Sequence, residues 1–180
     1  MTQRILIWYR NDLRVHDLRG LDEAVQQKAE IIPVYCFDDR NFGKTSFGFP
    51  KTGNYRAQFL IESVVDLRAS LQKLGSNLVV RRGLPEQIIP AIAEQLNIDQ
   101  VCYSQDVTAE EQQVEQKLKQ ALSAKNIQIN SYWQTTLYLP QDLPFNIQQT
   151  PELYTNFRKQ VEKKSKINQS LVAPKQLPPV

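Results

Sequence analysis

The sequence predicts an α/β protein: a Rossmann-like three-layer α/β/α fold with a five-stranded parallel sheet in the order 3-2-1-4-5. Three observations predict it. Short runs rich in β-branched and aromatic residues alternate with longer segments whose apolar residues recur every three or four positions. The first two runs, RILIWY at residues 4–9 and IIPVYCF at 31–37, are continuously apolar, as strands covered on both faces require. Successive runs are separated by helix-length segments, and right-handed crossovers then place helices on either side of a parallel sheet. The switch point of that order falls between strands one and four.

Each element has its own signal. Asp17 is placed to cap a first helix near residues 18–28, with Leu21, Ala24 and Val25 turned inward. In the second strand Pro33 cannot donate to the ladder, so it fits best near the strand's start or at an irregularity. A long loop with Gly43, Gly48, Pro50 and Gly53 follows, of the kind that carries function or moves. The helix from Asn54 to Leu74 places Leu60, Val64, Leu67, Leu71 and Leu74 on one face, and Gly75 ends it as a left-handed cap. Asn77–Arg81 is the third strand. Pro85 opens the next helix where a missing N–H does no harm. Its stripe is Ile88, Ile89, Ile92, Ala93 and Leu96, and Pro90 within it predicts a kink or a later start.

Gln100–Tyr103 is the fourth strand. Thr108 and Glu111 then have capping-box spacing, ahead of a helix with Val114, Leu118, Ala121 and Leu122 inward. Ile127–Trp133 alternates as the fifth strand. Thr150-Pro151-Glu152 opens a last helix. The domain therefore spans residues 1–164. Residues 165–180, with Pro174, Pro178 and Pro179, read as a linker or tail.

Composition bounds the function. A chain of 180 residues holds one domain, or one domain and a tail. With 41% hydrophobic and 23% charged residues it is globular, and a net charge of +3 is too mild to argue for nucleic acid. Cys36 and Cys102 belong to no metal or redox motif and read as buried free thiols. No signal pattern opens the chain, and no apolar run approaches the roughly 20 residues of a membrane span. The expected location is the cytoplasm.

In open α/β sheets, ligands bind beyond the carboxyl ends of the strands at the switch point. That rule nominates Tyr9–Asp12 and Ser104–Val107, with the loop ahead of Arg56 placed to close over them. The candidate set is Tyr9, Arg10, Asn11, Arg56, Gln105 and Asp106. Aromatic faces, a guanidinium and a carboxylate suit a flat, polar heteroaromatic ligand. Structural roles compete. Asp12, Arg14 and Asp17 fit a self-paired turn, His16 a hydrogen-bonded turn residue, and Trp8 the core. Asp106 also suits a helix N-terminus, which favours negative charge, and Arg56 a surface or loop-anchoring position. No GxGxxG, Walker A or GxSxG sequence is present, which argues against simple NAD or ATP binding and against a nucleotide hydrolase.

The stretch Trp8-Tyr9-Arg10-Asn11-Asp12-Leu13-Arg14-Val15-His16-Asp17 resembles the W-[FY]-R-x-D-L-R-x-H-D turn of the photolyase and cryptochrome flavoproteins. Phe49-Pro50-Lys51-Thr52-Gly53 through Arg56 to Val64 is similar to the DASH-type cryptochrome branch, as are Trp133–Tyr138 followed by Leu143-Pro144-Phe145, Tyr154–Glu162 and Pro174–Pro179. One departure is Leu18, where the family usually carries asparagine. The resemblance implies the N-terminal module of a protein that repairs ultraviolet-damaged DNA with blue light or senses blue light. It implies an antenna chromophore, methenyltetrahydrofolate or, as the second choice, a deazaflavin. Asp106 matches the family's acidic antenna contact and Arg56 its deazaflavin-type arginine.

The family's FAD-binding helical domain is not in this sequence. FAD is therefore not expected here, and neither is repair by the chain alone. The implied partner is such a helical domain, with self-association through the uncovered face as a second expectation. Contact with nucleic acid is expected to be indirect. The alternative is a non-enzymatic interaction module that has lost light chemistry, with Arg158, Lys159, Lys163, Lys164 and Lys166 as its basic contact surface.

Overall fold

Alternation along the central strand sorts the core into two layers. In the computed structural model, which describes residues 2–178, β1 (Arg4–Tyr9) lies between β2 (Glu30–Asp38) and β4 (Gln100–Ser104). β3 (Val79–Gly83) and β5 (Gln128–Tyr132) form the edges, every pairing is parallel, and the order is 3-2-1-4-5. Leu6 sits beside Ile32 on one side and Val101 on the other. Side chains on a strand point to alternate faces. Ile5, Ile7 and Tyr9 accordingly pack with α1 (Arg19–Gln26) and α2 (Asn54–Lys73). Leu6 and Trp8 pack with α3 (Pro85–Gln95) and α4 (Ala109–Ser123). Leu71 and Leu118 are fully buried, one in each layer, and each such side chain contributes about 2 kcal/mol. The fold class, the strand order and the core position of Trp8 are as the sequence predicts.

Two glycines are demanded by geometry. Gly75 has φ +87° and ends α2 in the left-handed region. A Cβ on Gly20 would lie 3.1 Å from Cys102 Cβ and 3.2 Å from Tyr132 Cε2, so α1 approaches β4 and β5 this closely only with glycine there.

Several local expectations are corrected. Asp17 does not cap the first helix. It takes φ +50°, its N–H donates to the Leu171 carbonyl, and its carboxylate accepts from Leu171 N–H, so Leu18 becomes the cap position with no side-chain bond. Pro33 lies inside β2, but pairing with β3 begins only at Val34. β3 starts at Val79 rather than Asn77, whose side-chain oxygen is taken by Leu78 N–H and Arg68.

α3 runs through Pro90 and starts at Pro85, forgoing one internal hydrogen bond at the Glu86 carbonyl. The capping box before α4 does not form, because Glu111 reaches Arg10 instead of its own helix terminus. The last helix, α5, is Tyr154–Lys164 and does not start at Thr150. The Thr150 hydroxyl donates to the carbonyl of Ile147, committing it to the preceding turn.

Residues 165–178 contain no helix or strand, yet they are held on the domain. Leu177 is 1% exposed within the α1–α2 layer, and its N–H donates to the Leu74 carbonyl. Among the described residues, no helix is long and apolar enough to cross a membrane.

Candidate functional site

The carboxyl ends of β1 and β4 meet in a lock built on Arg10. Its guanidinium is 5% exposed and donates to Glu115 and Glu111 at 2.5 Å each and to the Ser104 carbonyl at 3.0 Å. Asp106 lies 3.4 Å away. Burial alone would lower the Arg10 pKa, but Glu115, Asp106 and Glu111 together hold it above its ordinary value. The guanidinium carbon also sits 4.7 Å from the Trp8 ring centre and 6.0 Å from that of Tyr103. Asp12 fastens the same junction: one oxygen accepts from Arg10 N–H and the other from the Ser104 hydroxyl.

Asp106 is positioned by this lock. Its N–H donates to Glu115, and its Oδ2 accepts from the Asn11 side-chain amide at 3.2 Å as well as facing Arg10. Among the described residues its Oδ1 has no hydrogen-bond partner. Gln105 is turned away and donates to the Ser131 hydroxyl at 2.6 Å. A cleft of about 250 Å³ opens beside these groups, lined by Arg10, Asn11, Asp106, Arg14, Gln134 and Thr135 among others. A wider one of about 510 Å³ adjoins it through Gln134 and is walled by Trp133, Leu137 and the docked segment 167–171.

The structure brings Arg10, Asn11 and Asp106 together, with Gln105 alongside. It does not bring in Tyr9 or Arg56. Tyr9 is 1% exposed in the opposite layer, with its hydroxyl unpartnered, and burial followed by Asp12 pushes its pKa up. Arg56 is exposed on the first turn of α2 and lines neither cleft. Arg10 covers Trp8 and Tyr103, so the aromatic face open to a flat ligand is Trp133 in the wider cleft. Arg14 and Asp17 pair at 3.8 Å, and the His16 carbonyl accepts from Arg14, so the turn is self-paired.

Sequence reasoning missed Glu115 and Gln134. Glu115, 5% exposed, is an acid set between Val114 and Leu118 in the buried stripe of α4, and that interruption was its signal. Gln134 accepts from Arg19 N–H and donates to the Asp17 carbonyl, a role with no pattern along the sequence. Among the described residues, no cluster of histidine, cysteine and carboxylate side chains suits a metal ion.

Fold and site together define a parallel α/β domain whose switch-point cleft rests on a charged lock rather than a phosphate loop. The chain belongs to the DNA photolyase family, whose profile matches residues 5–179, and it corresponds to that family's N-terminal domain. It is 54% identical over 179 residues to a DASH cryptochrome of Gloeobacter violaceus, covering 99% of this chain and 36% of that protein. A DASH cryptochrome of Synechocystis is 48% identical over 176 residues, again with 36% of the relative covered. The solved structure of a Synechocystis cryptochrome superposes with a TM-score of 0.96 at 46% identity, over 99% of this chain and 38% of that one. The chain thus spans about a third of the length of the relatives it matches. The N-terminal domain of this family is known for binding an antenna chromophore.

Proposed function

We infer that this domain is the antenna-binding or scaffold module of a photolyase- or cryptochrome-type protein, and that its chromophore is methenyltetrahydrofolate. The observation that carries the reading is Asp106. One carboxylate oxygen is anchored by Asn11 and Arg10 at the mouth of the switch-point cleft, while the other is free to accept an N–H from a heteroaromatic ring. Asp106 and Asn11 would hold the polar edge of the chromophore, and Gln134 and Trp133 would flank its body. When bound, the chromophore supplies light absorption and passes its excitation onward.

A deazaflavin is the less supported choice, because Arg56 stands apart from the cleft. FAD, and with it light-driven DNA repair or blue-light sensing, is assigned to a helical partner domain. The two cysteines are unpaired, which supports a reducing, cytoplasmic setting.

The test is the near-ultraviolet and visible spectrum of the purified chain after gel filtration with methenyltetrahydrofolate. A co-eluting folate band that weakens in Asp106→Ala is expected. A protein with only tyrosine and tryptophan absorption would overturn the reading of a self-sufficient antenna site. A second reading, a pure interaction module, draws on the exposure of Arg158, Lys159, Lys163, Lys164 and Lys166 on and just beyond α5. Capture of a specific partner by pigment-free protein, lost on charge reversal of these residues, would favour it.

A further inference from the structure

Residues 166–176 cross the domain between two firm anchors. Before them, Val161 is buried on α5, and Ser165 N–H donates to its carbonyl. After them, Leu177 fills a core position and its N–H donates to Leu74. Among the described residues, three hydrogen bonds hold the stretch between. Two join Asp17 and Leu171, and in the third the Asn168 side-chain amide donates to Asp142 at 2.8 Å. Most of the stretch is exposed, Val172 at 86%. A segment with few buried contacts and few bonds opens by itself, ahead of the core. Tied at both ends, it opens as a strap rather than fraying as a tail.

The strap is a wall of the wider cleft, which residues 167–171 line together with Trp133 and Leu137. Its latch is Asp17, whose φ of +50° puts a residue with a Cβ in the left-handed region. Lys28, Asn97 and Asn126 share that conformation, but each follows the end of a helix, where it is a common terminator. Asp17 stands ahead of a helix instead, and there the conformation serves contacts. Its N–H and carboxylate meet Leu171, while its carbonyl accepts from Arg14 Nη2 at 2.9 Å and from Gln134 Nε2 at 3.2 Å. Arg14 and Gln134 both line the Asp106 cleft. One residue thus holds a wall of the wider cleft and two side chains of the narrower one. Strained backbone kept in place by several contacts clusters at ligand clamps and switches.

We propose that Asp17 latches residues 166–171 as a movable wall of the ligand site. When the Asp17–Leu171 pair opens, the strap swings out between its anchors at Val161 and Leu177 and widens the cleft. When the pair closes, the strap narrows the cleft around a ligand, and the Asp17 carbonyl is again held by Gln134 and Arg14. On one side the hinge is the stretch 172–176, where Pro174 restricts the swing. The role toward a ligand rests on the reading of the two clefts as one chromophore site; the latch itself does not.

The test is hydrogen exchange of single backbone amides, read by NMR on the whole chain. In the free wild-type chain, Leu171 N–H is expected to exchange about 100-fold faster than Leu177 N–H or more. Asp17→Gly accepts the left-handed backbone but removes the carboxylate. It should speed Leu171 about tenfold and leave Leu177 within about twofold. Asp17→Asn keeps an oxygen acceptor and tolerates the same φ, so it should stay near wild type. Asn168→Ala frees the strap from its other bond at an exposed position, and should speed Leu171 about threefold even if Asp17→Gly does not fold. Equal exchange at Leu171 and Leu177 overturns the movable wall. A Leu171 rate unmoved in these variants overturns the latch. With methenyltetrahydrofolate bound, Leu171 should slow by about tenfold or more. The folate should also leave Asp17→Gly about fivefold faster than it leaves wild type or Asp17→Asn. Bound folate with Leu171 unchanged overturns closure on the ligand. A chain that retains no folate counts against the chromophore reading instead, and the exchange rates of the free chain still decide the latch.

Discussion

Two arginines at the carboxyl edge of the sheet make nearly the same bonds in different surroundings. Arg10, 5% exposed, is ringed by Glu111, Glu115 and Asp106. Arg40, 36% exposed, is held by Asp38 and Glu86 at 2.6 and 2.8 Å. Both guanidiniums are held above their ordinary pKa, Arg40 chiefly by its hydrogen bond to Asp38. The difference is the burial of the guanidinium itself and what each carboxylate can turn to once the arginine is gone. Around Arg10, Glu115 would be left charged with almost no solvent and with Asp106 and Glu111 beside it. Around Arg40, Glu86 is as buried, at 8% exposed, but Asp38 keeps 15%, and Lys117 already stands 4.0 Å from Glu86 as a second cation. Identical contacts thus have different consequences, and burial decides which of them builds the site.

The strongest way to break this comparison is to remove each arginine in turn. Arg10→Met is expected to cost about 3–5 kcal/mol, because it strands several carboxylates together, and Arg40→Met about 1–2 kcal/mol, because Lys117 stands near the one buried carboxylate it leaves. Urea denaturation of both variants reads the difference, and equal losses would refute the burial argument. Next in size is an apolar anchor set against the ionic one. Leu177→Ala is expected to cost about 2–3 kcal/mol by emptying a core position, even though it lies in a segment without helix or strand. A midpoint shift too small to measure would show that the segment is only draped on the surface.

The Arg40 side should also respond to alkali. Burial, followed by Asp38, Asp39 and Glu86, pushes the Cys36 thiol from 9.0 up to about 12. The folded state therefore holds that proton after the unfolded chain has lost it. Stability is fully present below pH 9.0 and falls as pH rises toward about 12. Melting temperatures across that window should fall less steeply in Cys36→Ala. Smallest is the effect of Asn11→Ala on stability, about 0.5 kcal/mol at an exposed hydrogen bond, with a larger loss expected in chromophore retention.

How far the sequence could be read follows the same division. The continuous apolar runs, the helical stripes and the switch-point rule located the sheet order and the edge where Arg10, Asn11 and Asp106 meet, because those depend on local pattern. Tertiary pairing overrode the rest. Glu111 has capping-box spacing but answers a guanidinium from another element, and Asp17 has cap chemistry but binds the docked segment near Leu171. Tyr9 sits where the switch-point rule places a ligand contact, yet strand alternation sends its side chain into the opposite layer. Gln134 and Leu177 act across more than a hundred residues of chain, a separation that no window of sequence spans.

The central claim is a division of labour at one edge of the sheet: Arg10 builds the cleft and Asp106 presents the acceptor. The most direct measurement is a fluorescence titration of methenyltetrahydrofolate into wild-type chain and Asp106→Ala, with the urea midpoint recorded on the same samples. Binding weaker by about tenfold or more, with a midpoint close to wild type, is the predicted result. Unchanged folate binding together with a midpoint as low as that of Arg10→Met would contradict it, making Asp106 one more member of the structural lock.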